Sequence, residues 1–176
     1  MPSKGPHISI GSEFLVERVL SIEPADFADW PEDVRELAIL LAEELFLLRY
    51  NPFIDPGLVF ISVQARFGEA KHALAEEYVS KLEQSIRGFW TTYQADKRFK
   101  ELLIQRLSKR FASADIVTHA NTLVECSTDA TDLRMELPMM VVTPVSTEQI
   151  QFIVQLANEL DFAIVPRGGG SGLTGG

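Results

Sequence analysis

Cysteine is almost missing from this chain of 176 residues. Cys126 is the single example, so neither an internal disulfide framework nor a Cys-rich zinc or iron–sulfur site can be assembled within it. Histidine is scarce as well, at three residues, and a metal would need other ligands. Basic residues are outnumbered: 16 Lys and Arg stand against 25 Asp and Glu, a formal net charge of -9 that argues against general affinity for nucleic-acid phosphates. Long apolar runs are missing too. The most hydrophobic stretch, "LAILLAEELFLL" at 37–48, carries Glu43 and Glu44 in its middle, and the N-terminus lacks the apolar core of a signal peptide. These absences predict a cytoplasmic chain with no transmembrane segment and no nucleic-acid partner, leaving peripheral association with the inner membrane open. What remains suits a folded protein: 46% of the residues are hydrophobic and 23% charged, over a length that can bury a core.

Along the chain, residues 1–11, with Pro2, Gly5 and Pro6, read as a flexible tail, and 12–97 as a mainly helical domain. Trp30-Pro31 opens a strong helix, with Asp29 or Trp30 at the cap, Pro31 at the first helical position, and Glu32 and Asp33 at the positive end of the macrodipole. Val34, Leu37, Leu41, Leu45 and Leu48 fall on one face, and further apolar residues widen it enough to predict burial on two sides. After "DPG", the run "LVFISV" at 58–63 reads as extended, and 67–89 as a second helix broken near Gly88.

From residue 98 the pattern changes. "FKELLIQRLSKRFA" predicts a short amphipathic helix, and "MMVVT" at 139–143 a strand. Ser146 and Gln149 form a capping box for a helix carrying Ile150, Ile153, Val154, Ala157 and Leu160 inward, and "FAIVP" at 162–166 is a second strand. Strand, crossover helix and strand predict a βαβ unit with parallel strands. The fold class expected is therefore α+β.

The second strand runs into "PRGGGSGLTGG", for which the residues allow three readings. A glycine-rich terminus can be a flexible linker. Gly170, Gly172 and Gly175 also satisfy the G-x-G-x-x-G of a Rossmann-type dinucleotide loop, while a Walker A loop fails for want of a lysine after the last glycine. The third reading is a pyrophosphate cradle of main-chain N–H groups, in which consecutive glycines take positive φ, Ser171 and Thr174 add hydroxyls and Arg167 adds positive charge.

Together with "MVVTPVSTEQIQFIVQLANELDFAIV" ahead of it and "ECSTDATDLRMELP" further back, this stretch resembles the start of the FAD-binding domain of bacterial FAD-linked oxidases, the glycolate oxidase and D-lactate dehydrogenase relatives of the vanillyl-alcohol oxidase superfamily. The resemblance covers 102–176. It implies a helical domain followed, at 98–176, by an FAD-binding βαβ module of that type, truncated after the pyrophosphate loop. Arg167, Gly168, Gly169, Gly170, Ser171, Gly172, Leu173, Thr174 and Gly175 are then the cofactor-binding residues. Covalent members carry a histidine where this chain has Ser171, so the FAD implied is non-covalent. The implied reaction is hydride transfer to flavin from a D-2-hydroxy acid such as lactate, glycolate or 2-hydroxyglutarate, with a quinone, cytochrome, iron–sulfur partner or oxygen as electron acceptor. The catalytic base is expected beyond Gly176, so none is named, and this chain by itself is expected to be inactive. The rival reading makes the helical domain a protein-interaction module.

Other residues that could carry chemistry have plainer readings. His72 reads as a surface residue of a Glu-rich helix, His119 as a turn residue, Cys126 as a buried inert thiol, and Asp129 and Asp132 as turn or capping residues.

Overall fold

The computed structural model describes residues 10–130 and 137–172. The chain divides into two compact units, Met1–Gln94 and Ala95–Gly176. In the first unit, α1 (Ile10–Leu20) begins inside the segment expected to be a tail, the rest of which lies outside the described residues. It is followed by α2 (Pro24–Ala28), α3 (Glu32–Tyr50), α4 (Pro56–Ala70) and, after a 3-10 turn at Lys71–Ala73, by α5 (Glu76–Leu107).

Pro31 stands at the N-cap of α3 and not at its first helical position, so the helix begins one residue later than expected, and Asn51 ends it. Val34, Leu37, Ala38, Leu41, Ala42, Leu45 and Leu48 are buried, and α3 contacts both α1 and α4. Leu40 and Leu47 nevertheless remain exposed, so the apolar surface is wider than the area its neighbours cover.

Two sequence expectations fail in this unit. The run at 58–63 is helical, within α4: Asp55 Oδ1 accepts from the N–H groups of Gly57 at 2.7 Å and Leu58 at 3.4 Å, and Pro56 occupies the first turn. Val63 and Phe67, four residues apart, are buried on one face of that helix, which decides its conformation against the β-branched composition. The second expected helix, 67–89, is instead divided by the 3-10 turn, and α5 runs through Gly88 without a break and absorbs the amphipathic segment at 99–107. One glycine costs a helix only about 1 kcal/mol. Burial of Leu82 and Ile86 in the first core, and of Leu103 and Leu107 in the second, outweighs it.

In the second unit α5 ends, and β1 (Ile116–Val117), α6 (Ala120–Cys126), β2 (Val141–Val142) and α7 (Thr147–Leu160) follow. Leu103, Leu107, Phe111 and Leu156 form the buried core, with Phe152, Ile153, Leu160 and Phe162 packed against it. Leu156 faces inward, while Ile150 and Val154, expected inside, are exposed. Ile153 and Leu160 pack inward as expected, and Phe152, Leu156 and Leu160, four residues apart, carry the buried stripe away from Ile150 and Val154.

The cap expected at Ser146 forms, its Oγ accepting from Gln149 N at 3.3 Å, while the reciprocal bond is displaced by one residue: Gln149 Oε1 accepts from Val145 N at 2.7 Å. Gln149 Nε2 also donates to the Arg110 carbonyl at 2.8 Å. Arg106 donates through Nη1 and Nη2 to both oxygens of Glu159, at 2.8 and 2.6 Å.

The expected parallel βαβ pair does not form among the described residues. β2 pairs antiparallel with β1, in the register Ile116↔Val142 and Val117↔Val141, and residues 162–166 join no ladder. A strand requires a hydrogen-bonding neighbour, and the edge of β2 is met by β1. Ile164 and Val165 accordingly stay exposed.

Three substitutions test this account. Gly88→Ala has open space for its Cβ and is expected to stabilise the first unit by about 0.5–1 kcal/mol, read by tryptophan fluorescence because Trp30 and Trp90 both lie there. No gain would mean that α5 is broken at Gly88. Leu156→Ala is expected to cost the second unit about 2–5 kcal/mol in denaturant unfolding followed by circular dichroism.

The third concerns pH. The hydrogen bond from Arg106 holds Glu159 below the usual glutamate range, with the charges of Arg106 and Lys109 adding to the effect and desolvation opposing it. A depressed carboxyl stabilises the fold above its unfolded value and loses that contribution as pH falls through the folded one. Glu159 is 55% exposed, so the contribution is small. Glu159→Gln should flatten the acid limb of the stability profile and leave the neutral region almost unchanged.

Candidate cofactor-binding loop

The glycine loop is delivered by the C-terminal end of α7. Asp161 takes a left-handed conformation (φ 54°), and Phe162 N donates to the Ala157 carbonyl at 3.2 Å, which closes the helix and turns the chain out of it. Phe162 then packs on the core edge-to-face with Phe99, ring centroids 6.3 Å apart. Beyond it, residues 163–169 are exposed.

Arg167, Gly168, Gly169, Gly170, Ser171 and Gly172 are described, whereas Leu173, Thr174 and Gly175 lie outside the described residues. The third glycine of the G-x-G-x-x-G pattern is therefore outside them as well. Gly168 and Gly169 face open space: a Cβ built on either meets nothing within 4 Å. Gly170 alone among the described glycines has a left-handed φ, of 70°, so the expectation of several consecutive positive φ values is corrected to one. A Cβ on Gly170 would fall 2.9 Å from Cζ of Arg167. That position needs glycine both for its backbone angle and for room.

The Arg167 side chain turns back across the loop, and its Nη1 donates to the Thr128 carbonyl at 2.5 Å. The residue expected from sequence to add positive charge to the loop is also engaged with main chain. The turn at 127–130 reaches the loop twice more: Ala130 N donates to the Gly172 carbonyl at 3.1 Å, and a Cβ on Gly172 would stand 3.1 Å from Oδ2 of Asp129. Two motifs about forty residues apart in sequence thus meet. Sequence reasoning took 127–130 as a turn and missed its main-chain partnership with the loop. Backbone groups leave no mark in residue identity, so no sequence signal announced it.

His72 is exposed on the 3-10 turn, and His119 precedes α6 with Nδ1 3.3 Å from the Thr122 hydroxyl. Cys126 is a half-buried free thiol, and Asp132 lies outside the described residues. Among the described residues no group of three or more His, Cys, Asp or Glu is placed to hold a metal. No helix among them is long and apolar enough to cross a membrane.

Residues 138–176 match the family model of an FAD binding domain. No curated protein and no solved structure matches the chain. The match contains β2, α7 and the whole glycine loop, and it makes FAD the cofactor of this segment. The geometry fits such a ligand, since exposed main chain at Gly168 and Gly169 carries no side chain that would keep a phosphate from its N–H groups.

Gly170→Ala is expected to weaken FAD binding about 5–30-fold through the left-handed backbone cost of about 1–2 kcal/mol, before any collision with Arg167 is counted. Gly168→Ala and Gly169→Ala should leave thermal unfolding as it is, so that any loss of FAD affinity in them measures the approach of the ligand to main chain. Calorimetric titration of the three variants separates these cases; equal affinities throughout would remove the loop from the binding site.

Proposed function

We propose that this chain supplies the pyrophosphate cradle of an FAD-dependent oxidoreductase whose substrate is a D-2-hydroxy acid. The observation that carries the reading is the open main chain at Gly168 and Gly169, lying beyond α7 inside the segment that matches an FAD binding domain. In this reading the N–H groups of Gly168, Gly169 and Gly170 donate to the pyrophosphate and Ser171 adds its hydroxyl. Leu173, Thr174 and Gly175 continue the loop. Charge-assisted hydrogen bonds of this kind contribute roughly 1.5–3 kcal/mol each.

Bound FAD supplies the two-electron acceptor for oxidation of the carbon that bears the hydroxyl. The residues of this chain bind and orient it. Ser171 stands where covalent FAD-linked oxidases carry the attaching histidine, and its hydroxyl lacks the ring nitrogen that bonds to the flavin, so the cofactor is held without a covalent link. The substrate class rests on the resemblance of "STDAT" and "PRGGGSGLTGG" to the glycolate oxidase and D-lactate dehydrogenase relatives. The electron acceptor is a quinone, a cytochrome, an iron–sulfur partner or oxygen.

The test uses the native polypeptide that contains this sequence. It should purify with visible flavin absorbance, acid or heat denaturation should release all the flavin into the supernatant, and anaerobic addition of D-lactate, glycolate or D-2-hydroxyglutarate should bleach the bound flavin. Flavin remaining with the denatured chain would overturn the non-covalent assignment. Bleaching by none of these acids would overturn the substrate class, and a protein that refuses added FAD would overturn the cradle.

A further inference from the structure

Glycine loses more conformational freedom on ordering than any other residue, so a cradle made of glycines is costly to hold in one shape. Its own residues can do little to restrain it. The restraint must come from outside the glycine run, and two ties to the turn at 127–130 supply it: Arg167 Nη1 to the Thr128 carbonyl at 2.5 Å and Ala130 N to the Gly172 carbonyl at 3.1 Å. They hold the two ends of the 167–172 loop to residues of one turn.

That turn is itself anchored. It follows α6, whose Leu123 is buried, and Ser127 holds the last turn of that helix through its N–H, at 3.2 Å, and its Oγ, at 2.8 Å, both to the Val124 carbonyl. Support therefore runs from a buried leucine through α6 to the Thr128 carbonyl, and from there to the Arg167 guanidinium. The flat guanidinium lies where a side chain on Gly170 would have to go. Arg167 and Gly170 are for this reason one device: the arginine can cross the loop because the glycine is bare.

We infer that Arg167 is a positioning residue, one that clamps the glycine loop to the 127–130 turn and sets the shape of the cradle before any ligand arrives. Its rigid fork suits this task, since it can hold a carbonyl through one nitrogen while its plane covers main chain. A lysine ammonium, a point charge on a flexible stem, retains the charge and loses the clamp. The consequence for binding is preorganisation: the ordering cost of the loop is met in the free protein and not at the moment of association. The inference rests on the reading of the loop as an FAD cradle, but the clamp itself is a property of the ligand-free chain and can be measured without FAD.

The experiment compares the 176-residue chain with Arg167→Ala and Arg167→Lys. In the absence of FAD, amide hydrogen exchange is followed by NMR at Ala130, the donor to Gly172. In both variants that amide should exchange about tenfold faster or more, as expected for loss of a charge-assisted hydrogen bond that holds its acceptor in place. FAD is then titrated at low and high salt. Affinity should fall by a similar factor in the two variants, and by the same factor at both salt concentrations.

Unchanged exchange at Ala130 in both variants would overturn the clamp. Recovery of exchange and affinity by Arg167→Lys, or an affinity loss that shrinks with added salt, would overturn it in favour of a direct charge on the ligand. If the unsubstituted chain binds no FAD at all, the cradle reading fails, and the exchange rates at Ala130 still decide the clamp.

Discussion

A run of glycines has no side chains with which to hold itself, and the candidate site therefore depends on the one long side chain at its edge. The bond from Arg167 to the Thr128 carbonyl joins two segments 39 positions apart, and the Ala130 to Gly172 bond repeats the connection. Without these ties the open N–H groups of Gly168 and Gly169 would belong to a flexible chain. With them, the groups stand at a defined place beside a turn. In the proposed cradle a bare backbone would admit a phosphate, and a braced one would spare the ligand the task of ordering it.

The placement of that loop depends in turn on α7. Leu156 seats the helix, the two-pronged contact between Arg106 and Glu159 fixes its outer side to α5, and Gln149 ties its first turn to the Arg110 carbonyl. Each contact restrains a different part of a fourteen-residue helix, so its C-terminal end arrives at Asp161 with its direction set. An αL residue and a packed phenylalanine then redirect the chain toward the loop. The ion pair is exposed and contributes orientation more than stability, while the buried leucine contributes the larger energy.

Legibility differed by the kind of signal involved. The capping box at Ser146 and Gln149, the helix begun near Pro31 and the glycine loop after an apolar segment are local patterns, and each is visible in a few adjacent residues. The run at 58–63 misled because its β-branched composition speaks for a strand, while the cap at Asp55 and the burial of Val63 and Phe67 speak for a helix. Gly88 misled in the opposite direction. Its cost of about 1 kcal/mol is real, yet α5 carries buried leucines on either side of it. The inward face of α7 was placed toward one edge of its apolar arc: Ile153 and Leu160 pack on the core beside Leu156, while Ile150 and Val154 at the edge of the arc stay exposed, and periodicity does not say how much of an arc a neighbour will cover.

By itself the sequence determined the acidic and cysteine-poor character of the chain, the succession of a helical region and a glycine-ended segment, and the chemistry available to the loop: bare main chain, one hydroxyl and one guanidinium among the described residues. Tertiary structure decided the antiparallel pairing of β2 with β1, the continuity of α5, and above all the partner of Arg167. The reason is physical. Side-chain identity records what a residue can donate or fill, whereas the acceptor here is a backbone carbonyl, a group that every residue owns and only the fold can single out.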